Sequence, residues 1–286
     1  MHLMKHKLLF FIFSTLIILP GLFYLIISGL KLGIDFTGGA LLEYRFEQNV
    51  SKSELEQFGV VTPAGENTFI IRTKPIEHEK LQTLKQDLKN KFGNFEVRSE
   101  ENVGPIIGEE LKQKALIALL ISCIMIVLYI TYSFRNIPKP TSSFRFGIAA
   151  IAALIHDVLV VVGIFAILGH FFNVEIDVLF VTALLTIIGF SVHDTIVVFD
   201  RIRENLPKNL SKKFEAVADI SITQTLARSL NTSLTVVFVL IALLLFGGES
   251  IRWFVVALLI GIISGTYSSI FNATALLTFW EEKLKH

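Results

Sequence analysis

The chain has 286 residues, of which 52% are hydrophobic and 18% charged, with 25 phenylalanines. So much apolar surface cannot be buried in a soluble domain, so the composition excludes an ordinary water-soluble protein and points to an integral membrane protein. A net charge of +1 argues against nucleic acid as a partner, and the lone Cys123 excludes a disulfide framework. Neither C-x-x-C nor H-E-x-x-H occurs, so no thiol redox site, metal or cofactor is expected.

The first 30 residues are read as a membrane anchor. Leu8–Leu30 carries no charge over 23 residues and follows Lys5 and Lys7, and about 20 apolar residues suffice to cross a bilayer as a helix. A cleaved signal sequence has a shorter apolar region, about 7–15 residues, and a small-residue cleavage site. Pro20-Gly21 in the middle predicts a kink, which neighbouring helices can tolerate.

Residues 31–114 have a water-soluble composition, with 14 acids and 12 bases. Ala40–Phe46 and Thr68–Thr73 are expected as strands, with a weaker one at Phe95–Arg98. Ser51 with Glu54 three residues on is a capping-box pattern for a helix over Ser51–Phe58. Leu81, Leu84 and Leu88 share one face of a second helix over Glu77–Phe92. The expected order is strand, helix, strand, helix, strand, a small α+β domain.

A second span is expected at 115–134, followed by a short loop at 135–145 with three bases, Pro138 and Pro140. The remainder, 135–286, holds four more spans at about 147–168, 178–199, 222–246 and 253–280. The segment 200–227 is charged and polar, and the uncharged fifth run is Leu230–Phe246. Lys and Arg concentrate at the N-terminus, in the 135–145 and 200–227 segments and in the tail. The positive-inside rule then places both termini in the cytoplasm and residues 31–114 on the far side.

Two His-Asp pairs, His156-Asp157 and His193-Asp194, fall inside the third and fourth spans. An acid within a span costs about 2.5–3.5 kcal/mol on insertion scales and marks a pathway or relay more often than a structural contact. Held between burial and a nearby cation, such an acid can load and unload a proton near neutral pH. Histidine titrates there unaided; for His156 and His193 a neutral hydrogen-bonding role is slightly favoured. Arg228 is the expected counter-ion. Thr225, Arg228, Thr232 and Thr235 follow one another at helical spacing, which predicts a polar stripe with Arg228 facing an acid; a snorkelling interfacial Arg is the alternative. Gly261, Gly265, Ser269 and Ala273 recur every four residues and predict close helix packing rather than a site. Asn272 is a candidate for hydrogen bonding across helices.

Gly33-Ile-Asp-Phe-Thr-Gly-Gly39 after the first span, Val103-Gly-Pro-Ile-Ile-Gly-Glu-Glu-Leu111 before the second and Gly189–Asn205 in the fourth together resemble the SecF family. These are the smaller subunits of the SecD–SecF complex that assists the bacterial Sec translocon. The likeness runs end to end and implies a resistance-nodulation-division type of membrane core of six helices, with a half ferredoxin-like periplasmic domain. It implies use of the proton gradient, with no further cofactor and no enzyme activity, in late translocation and release of secreted polypeptide. The implied partners are SecD, the translocon channel with its membrane subunits, the unfolded polypeptide and the bilayer of the inner membrane. Asp194 and Arg228 match family positions associated with proton movement, Asp157 matches a position of less settled role, and His193 stands where relatives often have Asn. The alternatives belong to two other classes. A small-molecule exporter of the same superfamily is usually larger, with two external domains. An intramembrane protease has only Asp157 and Asp194 as a dyad here, with no protease motif around them.

Overall fold

The computed structural model describes residues 2–135, 137 and 141–283, so Pro138, Pro140 and the last three residues of the tail lie outside the described residues. It divides into two compact units, Leu32–Ile117 and a second made of Met1–Lys31 with Ala118–His286.

The smaller unit holds helix α2 (Ile34–Thr37), strand β1 (Gly39–Phe46), helix α3 (Lys52–Leu55) and a 3-10 turn at Glu56–Phe58. Strands β2 (Val60–Gly65) and β3 (Thr68–Thr73), helix α4 (His78–Phe92) and strand β4 (Phe95–Val103) follow. The sheet is antiparallel in the order β2-β3-β1-β4. On β1 the residues Ala40, Leu42, Tyr44 and Phe46 alternate inward, as a strand with one covered face requires. They form one core with Ile71, Leu55, Leu88 and Phe92, against which Leu81 and Leu84 pack. The capping box of Ser51 and Glu54 is present.

Two features depart from expectation. β2 was not anticipated, because Pro63 interrupts it and Gly65 ends it; as the edge strand of the sheet it tolerates a residue without an N–H. β4 is nine residues long rather than four, paired to β1 through a register shift at Glu43/Tyr44. The two glycine-bearing motifs flanking the domain meet. Gly38 has φ +72°, and a Cβ on it would lie 2.9 Å from Pro105 Cα; a Cβ on Gly108 would lie 2.9 Å from Gly38 N. Only glycine allows both the backbone angle and the approach.

Among the described residues, six helical stretches are long and apolar enough to cross a membrane. They are α1 (Lys7–Ile27, after a 3-10 turn at Met4–His6), α5 (Pro105–Ser133), α6 (Ser143–Phe172), α7 (Val178–Asn205), α8 (Phe214–Phe246) and a last helix in three parts. The last is α9 (Arg252–Tyr267), a π segment at Ser268–Asn272 and α10 (Ala273–Lys283). α1 runs through Pro20, and Gly21 lets it close on α6, where a Cβ would come within 2.7 Å of Gly163 Cα. Asn173 ends α6 in the left-handed region, φ 56°, and Asp177 caps α7 by accepting from Phe180 N–H at 2.8 Å.

The helices extend beyond the apolar runs, and α8 most of all. Its first turns, polar in sequence, bury Phe214, Val217, Ala218 and Ile222. At the same end of this unit the Met4 N–H donates to Asp219 Oδ1 at 2.9 Å, Arg145 pairs with Glu281 at 2.5 Å, and Lys7 pairs with Glu282. The starts of α1, α6 and α8 and the end of α10 therefore share one end of the bundle. At the other end, Ile176 N–H donates to Lys31 O at 2.8 Å.

Candidate functional site

Asp157 and Asp194 are both buried, at 0% and 1% exposure. Asp157 lies on α6 and accepts a hydrogen bond from Ser191 Oγ on α7 and a longer one, 3.4 Å, from Ser264 Oγ on α9. Its Oδ1 also stands 3.0 Å from His156 Nδ1. The small residue at 265 makes room, since a Cβ there would lie 3.2 Å from Ser191 Cβ and 3.6 Å from Asp157 Oδ2. Ser269 donates to Ser191 O at 3.0 Å and accepts from Thr195 Oγ1 at 2.8 Å. The four-residue rhythm of small side chains in the last helix thus helps to build the polar centre as well as to pack it.

Ser191 is three residues before Asp194, about 4.5 Å along the helix axis, so the two acids share nearly one level of the bundle. α7 runs on to Asn205, which puts Asp194 about 16 Å from that end, deeper than a helix ending at Phe199 would. Ser233 on α8 and Thr266 on α9 flank the Asp194 carboxyl, and their hydroxyls lie 2.6 Å apart. Ser233 is also within bonding distance of Ser229 O at 2.9 Å, and Thr266 of Ile262 O at 2.9 Å. Two hydroxyl hydrogens therefore serve three acceptors. Oδ2 of Asp194 has no hydrogen-bond partner among the described residues, although a buried carboxylate oxygen normally has one. A proton on that carboxyl would supply a donor where one is missing.

Arg228 is not at this centre. The buried polar face of α8 is Ser221, Thr225, Ser229 and Ser233, a strict four-residue repeat, whereas Arg228, Thr232 and Thr235 are exposed. The stripe expected from the sequence is rotated about the helix, and only Thr225 of it is buried. Arg228 lines a groove of about 280 Å³ with Asp200, Glu204, Gln224 and Thr225, and makes no ion pair among the described residues. His193 also faces outward, with its side chain 59% exposed and Nδ1 3.7 Å from Asp194 Oδ1. His156 by contrast is engaged at both ring nitrogens, since its Nε2 lies 3.2 Å from Asn272 Nδ2. Ser14, Ser191, Ser264 and Thr266 were not anticipated. A single Ser or Thr in an apolar helix usually bonds its own preceding turn, so it carries no sequence signal.

Six long helices, a small antiparallel α+β unit after the first and buried carboxylates ringed by hydroxyls define a polytopic membrane protein with ionisable groups inside its bundle. The chain belongs to the SecD/SecF family of protein export membrane proteins. Residues 83–283 match the family's C-terminal region, and residues 23–50 match the SecD/SecF GG motif. It is 49% identical to the protein translocase subunit SecF of Thermobaculum terrenum, over 96% of this chain and 92% of that one. It is 36% identical to the SecDF of Bacillus subtilis, over 95% of this chain and 37% of the larger protein. The crystal structure of SecDF, a translocon-associated membrane protein from Thermus thermophilus, superposes with a TM-score of 0.85 at 34% identity, covering 98% of this chain and 38% of that one.

Proposed function

We propose that the chain is a proton-motive-force-coupled accessory subunit of the Sec translocon. With a SecD partner it promotes late translocation and release of secreted polypeptides on the periplasmic side of the inner membrane. Its termini are cytoplasmic and residues 31–114 periplasmic. Relatives in which SecD and SecF are one chain support SecD as the partner. The observation that carries the coupling is the buried Asp194, whose Oδ2 lacks a donor while three acceptors share the hydrogens of two neighbouring hydroxyls. Taking up a proton there redirects the Ser233 and Thr266 hydroxyls, which join α7, α8 and α9. A change of charge thereby becomes a change of helix packing. Asp157 holds α6 to the same level. Arg228 and His193, exposed on the outer side, act at a surface where a second subunit completes the proton path.

The test is gradient-dependent release of a translocating substrate from vesicles carrying the chain with its SecD partner. Wild type is compared with Asp194→Asn and Arg228→Met at matched expression. Both variants are expected to assemble and to lose the stimulation by the gradient. Full stimulation by correctly assembled Asp194→Asn would make Asp194 a structural acid and end this reading.

A further inference from the structure

A second run of buried polar atoms lies beside the Asp194 cluster. Ser14 on α1 and Asn272 on the π segment are each 6% exposed. Asn272 Nδ2 donates to Ser14 Oγ at 2.6 Å and faces His156 Nε2 at 3.2 Å. His156 Nδ1 meets Asp157 Oδ1 at 3.0 Å, and Ser191 donates to the other oxygen of Asp157. Five side chains on four elements are joined end to end.

The direction of the amide fixes the direction of the chain. An amide nitrogen can only donate, so His156 Nε2 accepts and carries no proton. The ring proton of a neutral His156 is then on Nδ1, where it is donated to the Asp157 carboxylate. Both hydrogens of Asn272 Nδ2 are used, while its Oδ1, equally buried, has no partner among the described residues. Turned over, the same amide would offer Oδ1 to the Ser14 hydroxyl and to an Nε2–H. The ring would then hold a proton on Nε2, and Nδ1 would face Asp157 either as acceptor from its carboxylic acid or as the second N–H of an imidazolium. In both cases the pair carries one proton more than before and its net charge goes from −1 to zero. The π segment sets the amide between α1 and α6. Such segments are rare and concentrate at functional sites.

We propose that Asn272 is a positioning residue for a second proton-holding site, the His156–Asp157 pair, with its amide orientation selecting the ring tautomer of His156 and reversing when the pair takes up one proton. This deepens, and rests on, the proton-coupled reading. The other groups facing the pair are the hydroxyls of Ser264 on α9 and Ser191 on α7, with Asp194 one turn beyond. Tyr267, whose phenol donates to Phe10 O at 3.1 Å, lies beside Ser14. The ionisable residues of α10, Glu281, Glu282 and Lys283, lie toward the far end, where the first two pair with Arg145 and Lys7.

The test uses the full chain in lipid vesicles with isotope-labelled histidine, observed by solid-state NMR, with the His156 signals assigned by their loss in His156→Gln. In wild type, neutral His156 is expected to be protonated on Nδ1. Asn272→Asp, which as a carboxylate can only accept, is expected to move the proton to Nε2. Asn272→Leu, which removes the amide altogether, is expected to mix the two tautomers. An Nε2–H ring in wild type overturns the proposal, as does an Nδ1–H ring in every variant. The wild-type tautomer decides the matter even if a variant fails to fold. The spectra need no gradient. A normal response to the gradient in Asp194→Asn would therefore end the proposed function and leave the tautomer result standing.

Discussion

Ser191 on α7 donates its hydroxyl to the buried carboxylate of Asp157 on α6, one helical turn from Asp194. This bond ties the two acid-bearing helices at the level of both acids. Ser191→Ala removes a donor from a charged group that water cannot reach, and is expected to cost about 1–3 kcal/mol. Thr186→Ala is the control: Thr186 is exposed and bonds only Thr182 O in its own helix, so its loss is expected within about 0.5 kcal/mol. Thermal unfolding in detergent compares them. Equal small effects would show that the Ser191 bond does not hold the helices together.

The contact of α1 with α6 rests on two glycines. A Cβ on Gly21 would meet Gly163 Cα at 2.7 Å, and one on Gly163 would meet Gly21 Cα at 2.9 Å. Both contacts are to backbone, which cannot swing aside. Gly21→Ala and Gly163→Ala are each expected to destabilise by about 1–3 kcal/mol through overpacking. Gly147→Ala and Gly189→Ala meet nothing within 4 Å, so they are expected to stabilise by up to about 1 kcal/mol through helix propensity. A melting series in detergent that failed to separate the two pairs would refute the close approach.

The spans were legible because uninterrupted apolar runs leave few alternatives in a protein of this composition. Their ends were not. Phe214–Ile220 looks like a loop in sequence, since Glu215 and Asp219 break the run, yet it is helical because Phe214 and Val217 find a core and Asp219 finds the Met4 N–H. The faces of α8 were harder still. Threonines and an arginine at threefold and fourfold steps fit a stripe as well as four serines and threonines at strict fourfold steps, and only packing against α7 and α9 decides between them. Of the site, the two aspartates stood out because charge is costly in a span. The hydroxyls that make them a cluster did not, because hydroxyls cost little.

Asp194 is buried inside the bundle and Arg228 is exposed on its surface, so they are not a preformed ion pair in the isolated chain. A double-mutant cycle of Asp194→Asn and Arg228→Met, read by thermal unfolding of the chain alone, is expected to give a coupling below about 0.5 kcal/mol. The same pair can still act together in secretion, where a partner subunit covers the outer face. A coupling of several kcal/mol in the isolated chain would place the arginine against the acid and contradict the rotation of α8 described above.

Tyr44 gives the smaller unit a pH signature. Its phenol is buried beneath the sheet and donates to Glu100 Oε1 at 2.8 Å, while Glu100 pairs with Lys85 at 2.7 Å. Burial first, and then the hydrogen bond to Glu100 and its negative charge, hold the phenol protonated well above its ordinary range. A group raised in the folded state contributes fully below its unfolded value, about pH 10, and loses that contribution as the pH climbs through its folded value. Tyr44→Phe is expected to cost about 1 kcal/mol at neutral pH for the lost hydrogen bond, and to lack this part of the alkaline decline. The urea midpoints of wild type and Tyr44→Phe should therefore keep their gap up to about pH 9 and converge above about pH 10, with wild-type tyrosinate absorbance showing one phenol that ionises only on unfolding. A gap that stays constant over that range would mean that Tyr44 reaches water without unfolding.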